Sequence, residues 1–281
     1  MDAVIKKIPY GMTDFERIIL ENYYYVDKTQ YIAKVEKVTS FFFFVRPRRF
    51  GKSLFLNMLG LYYDINQKDK FEKIFGNLYI GKHPTPDRNT YLVLTLNFSS
   101  VAANMDRLEE TFNTYCKIVM DGFAERNAHL LGKEAAEKLH ELKTGDALLG
   151  SLCQSAQNKG LKIYLILDEY DNFANNILVN YGNERYRSIT HGSGFFRSFL
   201  KVVKDYSSSV IERIFLTGVS PVTMDDLTSG FNIADNYSSS PIFNNMMGFN
   251  EQEVRTLIDY YKSYRELPHT TDELITIMKP W

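Results

Sequence analysis

The chain is poor in cysteine and tryptophan, carries almost no net charge and has no long hydrophobic run. Each absence removes a class of protein. Two cysteines in 281 residues, Cys116 and Cys153, cannot build a disulfide framework and are expected as free thiols in a reducing compartment. No window approaches the ~20 consecutive apolar residues that a membrane-spanning helix needs. Met1–Tyr10 lacks the apolar centre of a signal peptide, so a cytoplasmic protein with no membrane partner is expected. Lys and Arg number 33 against 34 Asp and Glu, a formal net charge of -1. No global basic field is present to hold a nucleic-acid backbone, and direct nucleic-acid binding is not expected. Hydrophobic residues at 44% and charged residues at 24% exclude a disordered or collagen-like chain. The length suits one large domain, or one domain with a small appendage.

Aromatic residues are abundant, with 20 Phe and 19 Tyr beside the single Trp. Much of the rest of the pattern is alternation. Ser40–Val45, Tyr91–Phe98, Lys162–Leu167, Ile211–Thr217 and, more weakly, Ile242–Phe249 read as strands. The third and fourth are apolar for most of their length, which suits parallel strands buried on both faces. Between them, Leu54, Phe55, Met58, Leu59 and Tyr62 recur at helical spacing, as do Met105, Leu108, Phe112, Tyr115, Val119 and Phe123. Phe195, Phe196, Phe199, Val202 and Val203 mark a third helix. Strands alternating with helices predict an α/β fold: a mainly parallel central sheet of about five strands flanked by helices. Tyr181–Gly194 and Asn232–Pro241, rich in Gly, Ser and Asn, read as loops. Capping boxes at Asn250/Glu253 and Thr270/Glu273 predict a short C-terminal helical tail. The expected division is a core over residues 1–249 and a helical segment over 250–281, the start of a lid or linker.

The most informative segment is Phe41–Ser53, FFFFVRPRRFGKS. An apolar strand runs into a loop ending Gly51-Lys52-Ser53, and an amphipathic helix follows at once, the context that a phosphate-binding loop requires. Backbone N–H groups of such a loop and of the helix N-terminus point at phosphate oxygens. The candidate phosphate site is Arg46, Pro47, Arg48, Arg49, Phe50, Gly51, Lys52, Ser53 and Leu54. Lys52 would reach the β- and γ-phosphates of ATP, and the Ser53 hydroxyl would hold Mg²⁺. The pattern G-x-x-x-x-G-K-[ST] is broken at its first position, where Arg46 stands, and Pro47 stiffens the loop start.

A second constellation is Ile163–Asp171, IYLILDEYD. An apolar strand ending in Asp168-Glu169 can supply a carboxylate for Mg²⁺, Asp168, and a general base for an attacking water, Glu169. Asp171 is expected to be structural or to support its neighbours. Thr217, ending the fourth strand, is the candidate for sensing the γ-phosphate, with Ser220 second. Arg185, Arg187, Arg197 and Arg213 are available to stabilise a transition state, and the sequence does not choose among them.

Taken together, IPYGMTDFERIILENYYYVDKTQYI, RPRRFGKS, LILDEYD and FLTGVSPVTMDDLTSGFNIADNYS resemble the AAA-ATPase-like proteins over nearly the whole chain. The resemblance implies a P-loop NTPase core that binds ATP and Mg²⁺ and hydrolyses ATP, with an extra strand between the phosphate-loop strand and the acidic strand. It makes Arg46 a family variant and places Asp27 and Lys28 near the adenine. It also implies a downstream effector, since such proteins commonly continue into a nuclease-like domain of the PD-(D/E)XK type. Pro86-Asp87 with Glu141-Leu142-Lys143 matches that motif only superficially, because Glu141–Lys143 falls in a helical pattern. The chain is therefore expected to be the nucleotide-binding part of a longer protein, in which oligomerisation is compatible with the sequence. Two other readings stand beside the ATPase: a non-hydrolysing nucleotide-binding interaction module, and a DNA-handling module, which the neutral charge disfavours. Phe41–Phe44 are expected to pack the sheet, and Tyr23–Tyr25 and Tyr260–Tyr261 to line the core edge.

Overall fold

The computed structural model describes residues 5–101, 105–192, 194–220 and 233–278. Along the chain run α1 (Phe15–Leu20), α2 (Gln30–Val38), β1 (Phe41–Val45), α3 (Lys52–Tyr63), β2 (Leu92–Asn97), α4 (Leu108–Arg126) and α5 (Gly145–Asn158). Then follow β3 (Ile163–Asp168), α6 (Asn172–Thr190), α7 (Phe195–Tyr206), β4 (Ile211–Gly218), β5 (Asp235–Asn236), α8 (Glu251–Lys262) and α9 (Thr271–Met278). Short helical turns fill the longer connections.

The five strands lie in the order β2-β3-β4-β1-β5, and every neighbouring pair is parallel. Parallel strands need crossovers, and these crossovers put helices on both faces. Alternation along β1 assigns its side chains to opposite layers. Phe43 packs into the layer that includes residues of α4, α5 and α7, while Phe42 and Phe44 pack into the layer that includes residues of α1, α2 and α3. The phenylalanine run is thus the material of two cores, as its burial on both faces of the strand requires. Tyr24 meets Tyr260 with ring centroids 5.1 Å apart, and the Tyr261 hydroxyl donates to the Lys6 carbonyl, so these tyrosines seat α8 against the N-terminal segment.

The first four strands fall where the apolar runs put them. The fifth does not. Ile242–Phe249 is not a strand: Pro241–Phe243 forms a 3₁₀ turn, and Phe243, Met246 and Met247 are buried at helical spacing beneath β1. Pro241, which lacks an N–H, suits the start of such a turn. The edge strand is instead Asp235–Asn236, inside a predicted loop, paired to Phe42 and Phe43. The other predicted loop, Tyr181–Gly194, is mostly helix; α6 continues to Thr190 through a break at Gly182, whose φ is +80°. Both C-terminal caps form, with Asn250 and Glu253 making a reciprocal capping box and Thr270 bonding Glu273 in the same way. Glu141–Lys143 lies in a turn after the helix Glu134–Leu139, not on a strand. Cys116 and Cys153 are buried and unpaired, and burial pushes each thiol up to about 12. No helix among the described residues is long and apolar enough to cross a membrane.

Phe42 carries the densest aromatic packing of β1, with ring centroids of Phe215, Tyr237 and Phe243 at 5.0, 4.9 and 4.9 Å. Phe42→Ala is expected to cost ~3–5 kcal/mol, read as a lowered midpoint in equilibrium urea unfolding.

Candidate active site

Because the strands are parallel, their C-terminal ends share one edge of the sheet. Val45 stands opposite Gly218, and Asn97 opposite Asp168. The loop Arg46–Gly51 leaves β1 at that edge and feeds α3. Positive φ recurs at alternate loop residues, Arg49 (+68°) and Gly51 (+84°). Such alternation turns successive N–H groups to one side and makes an anion-binding concavity. The N-terminus of α3, at Lys52, adds its partial positive charge to the same place.

Lys52 is buried. Its Nζ donates to the carbonyls of Arg46 and Pro47 at 3.1 and 3.3 Å and lies 3.5 Å from Glu169 Oε1. The ammonium therefore closes the loop on itself and bridges to the acidic strand end. One residue on, Ser53 Oγ donates to Asp168 Oδ2 at 3.0 Å. Sequence reasoning paired these residues, and the fold brings all four together. Asp168 is 2% exposed, and its Oδ1 is sealed from solvent with no hydrogen-bond partner. Burial pushes the Asp168 carboxyl above its ordinary range, against the hydrogen bond from Ser53; the Glu169 charge adds to the rise and Lys52 opposes it. Glu169 itself has φ +52°, a left-handed conformation that costs a non-glycine residue ~1–2 kcal/mol. The strain turns the chain sharply out of β3.

The turn after β3 is clamped to the turn after β4. The Asp171 carboxylate accepts from the N–H groups of Val219 and Ser220, the latter at 2.7 Å, and from Asn175 Nδ2 at 2.9 Å. Tyr170 donates its hydroxyl to the Ser220 carbonyl at 2.7 Å. Gly218 admits this clamp, since a Cβ there would run into the Asp171 carboxylate. Asp171 is thus structural, and Ser220 is held through its backbone.

Arg46 does not turn its guanidinium into the loop. Nη1 donates to the carbonyls of Val45 and Ser238 at 3.0 and 2.7 Å, and the guanidinium lies over the Phe44 ring at 4.1 Å. Ser238 also accepts from the Val45 N–H through its hydroxyl, at 3.0 Å. Arg46 thus ties β1 to the segment after β5. Pro47, Arg48, Arg49 and Phe50 are exposed, with the Phe50 ring against Gly248, and Leu54 is half-buried against the α3-side core.

Other expected residues have different partners. Thr217 is the penultimate residue of β4, one short of the strand's end at Gly218; it is fully buried and its hydroxyl donates to the Phe44 carbonyl across the sheet. Asp27 accepts from the Thr29 N–H and hydroxyl just before α2 and from the Tyr79 N–H at 2.7 Å. Lys28 donates to the Asn245 carbonyl at 2.8 Å and pairs with Glu253 of α8. Both side chains serve the packing of α2 and α8. Arg213 is paired to Asp87 at 2.8 Å near the start of β4, Arg197 donates to the Gly192 carbonyl, and Arg185 and Arg187 are exposed on α6. Residues 221–232 of the fourth resembling segment lie outside the described residues.

Two participants escaped the sequence reading. Ser238 anchors Arg46. Asn97, ending β2, donates from Nδ2 to Asp168 Oδ2 at 3.1 Å. Beside these groups a cleft of about 530 Å³ runs between α3, β2 and α4, past Leu56, Thr95, Val119 and Arg126, and reaches Ser53 and Asp168.

A family model described as "Predicted AAA-ATPase" matches residues 9–228. An uncharacterised protein from the vnfD 5' region of Azotobacter chroococcum mcd 1 is 29% identical over 252 residues. That match covers 89% of this chain and 44% of the relative, so the chain spans less than half the relative's length. No solved structure gives a significant match.

Asp168 holds a buried oxygen without a partner, which costs roughly 1–3 kcal/mol when the group is ionised. Asp168→Asn keeps an acceptor for Ser53 and removes the charge. Its NH2 then takes the place of the unpartnered oxygen, so without nucleotide or metal the expected change in melting temperature is the part that depends on pH. The sign with pH follows from the raised carboxyl: the wild type loses stability as pH rises through that pKa, and the Asn variant does not. In thermal scans the melting temperature of Asp168→Asn relative to the wild type should therefore rise as the pH is taken from below the ordinary carboxylate range to neutrality.

Proposed function

The chain belongs to the family of predicted AAA-ATPases, and on that premise we propose that it binds ATP with Mg²⁺ at the loop Arg46–Ser53 and hydrolyses it. A nucleotide-binding, ATPase-like role follows from the family; the residue roles, the metal and the turnover are this proposal. One observation carries it: Ser53, in the first turn of α3, and Asp168, at the end of β3, share a hydrogen bond of 3.0 Å beside the buried Lys52.

The residues fit the ligands. The loop N–H groups and the α3 terminus suit phosphate oxygens, and Lys52 adds a charge that can leave its carbonyl partners for them. The Ser53 hydroxyl and the unpartnered oxygen of Asp168 are hard donors of the kind Mg²⁺ takes. Mg²⁺, when bound, neutralises charge on the β- and γ-phosphates. Lys52, drawn to phosphate, releases Glu169, whose Oε1 can then accept a proton from the attacking water. Hydrolysis would act as a switch or motor for an effector elsewhere in a longer protein, for which a nuclease-like domain is the candidate.

Glu169→Gln should keep ATP affinity and slow single-turnover hydrolysis by ~10²–10⁴-fold. Lys52→Ala should lose ATP binding in calorimetry. Equal single-turnover rates for both variants and the wild type would refute the assignment. A second reading, binding without turnover, draws support from Thr217, whose hydroxyl is already committed to Phe44. Tight ATP binding by the wild type with no product in single turnover would favour it.

A further inference from the structure

We propose that Asn97 is a positioning residue for the metal, setting the orientation of Asp168 so that Oδ1 is left free for the cation. The inference rests on the reading of Ser53 and Asp168 as the Mg²⁺ site.

Asn97 is held at three points. Its backbone N–H donates to the Tyr115 hydroxyl oxygen at 2.6 Å, its Oδ1 accepts from the Ser99 N–H at 2.9 Å, and its Nδ2 donates to Asp168 Oδ2 at 3.1 Å. Capping the turn at Ser99 needs only the oxygen of the amide. The second end, aimed at a buried carboxylate, is left over from that structural task. It reaches its target because β2 and β3 are in parallel register, Asn97 opposite Asp168.

The effect on Asp168 is asymmetric. Oδ2 takes two donors, from Ser53 and Asn97, and Oδ1 takes none while sealed from water. Rotation of the carboxylate would break both bonds, so the unpartnered oxygen stays where it is. Asn97 is neutral, and it orients the ligand without adding a charge that would change how many anions face the cation. Groups that hold a metal ligand in place typically contribute 10–100-fold in metal affinity. Tyr115 belongs to α4, whose Val119 and Phe123 line the cleft, so one wall of that cleft is joined to the metal ligand through Asn97.

The test measures Mn²⁺ affinity by electron paramagnetic resonance in the presence of a non-hydrolysable ATP analogue. The proteins are the full chain as wild type, Asn97→Ala, Asn97→Ser and Asp168→Asn. Serine keeps an acceptor for the Ser99 N–H but is too short to reach Asp168 as well. Both Asn97 variants are expected to bind Mn²⁺ at least about tenfold more weakly, with analogue affinity in EDTA kept and melting still cooperative. Asp168→Asn should weaken Mn²⁺ at least as much. Wild-type Mn²⁺ affinity in either Asn97 variant, with Asp168→Asn impaired, would overturn the role of Asn97 alone. Wild-type affinity in Asp168→Asn as well would remove the metal reading, and the inference with it.

Discussion

Five strands that all run one way impose the constraint on which the site depends. A parallel sheet cannot be closed by hairpins, so each strand must be reached through a crossover on one face or the other. Both faces are then covered, and the only places where polar groups can gather are the two strand edges. At the C-terminal edge, Val45, Asn97, Asp168 and Gly218 come level because their strands are in register. Residues 46–53 and 168–171, distant in sequence, are brought to the same edge although β4 lies between β1 and β3. The side chains that meet there, Lys52 with Glu169 and Ser53 with Asp168, make the contact across the end of β4 that the ladder does not.

The polar groups at this edge divide by how completely they are satisfied. Asp171 is buried too, yet its carboxylate accepts from two backbone N–H groups and an amide, and it locks two turns together. Asp168, three residues earlier in the chain, keeps one oxygen with no hydrogen-bond partner. Glu169 between them stands in a left-handed backbone conformation. Unmet hydrogen bonding and backbone strain concentrate at functional sites because they oppose folding and persist only where the surroundings impose them. Here the clamp through Asp171, Tyr170 and Gly218 is the surrounding that imposes them.

How much of this could be read in the sequence follows the range of the interactions. β1 to β4 were legible because a strand buried on both faces must be apolar for most of its length, as FFFFV is and as IYLILD is up to its final Asp168. The loop and the acidic strand end were legible because their chemistry is local: Gly51-Lys52-Ser53 open the helix that follows a strand and a short loop, and Asp168-Glu169 sit where a strand ends. β5 was not, because two exposed polar residues take their strand conformation from Phe42 and Phe43 and not from their own pattern. Ile242–Phe249 misled because an apolar run seated under a sheet has the composition of a strand, while its buried members are spaced as in a turn. Asp27 and Lys28 found partners 52 and 225 residues away. Asn97 carries no signal of its own; an asparagine ending a strand is ordinary until the register sets it beside Asp168.

The two ends of the phosphate loop are fastened by different physics. At its start, Arg46 holds two carbonyls and an aromatic face, none of them ionisable. Burial lowers its pKa, but a guanidinium begins so far above neutrality that it stays charged. Partners without charge leave little for dissolved ions to screen. At the loop's finish, Lys52 and Glu169 form an ion pair, and Ser53 leans on a carboxylate. One end is thus held by uncharged partners, and the other by a pair of opposite charges shielded from water. An anion arriving at the loop therefore competes for the charge at its finish, while its start offers the anion no partner to displace.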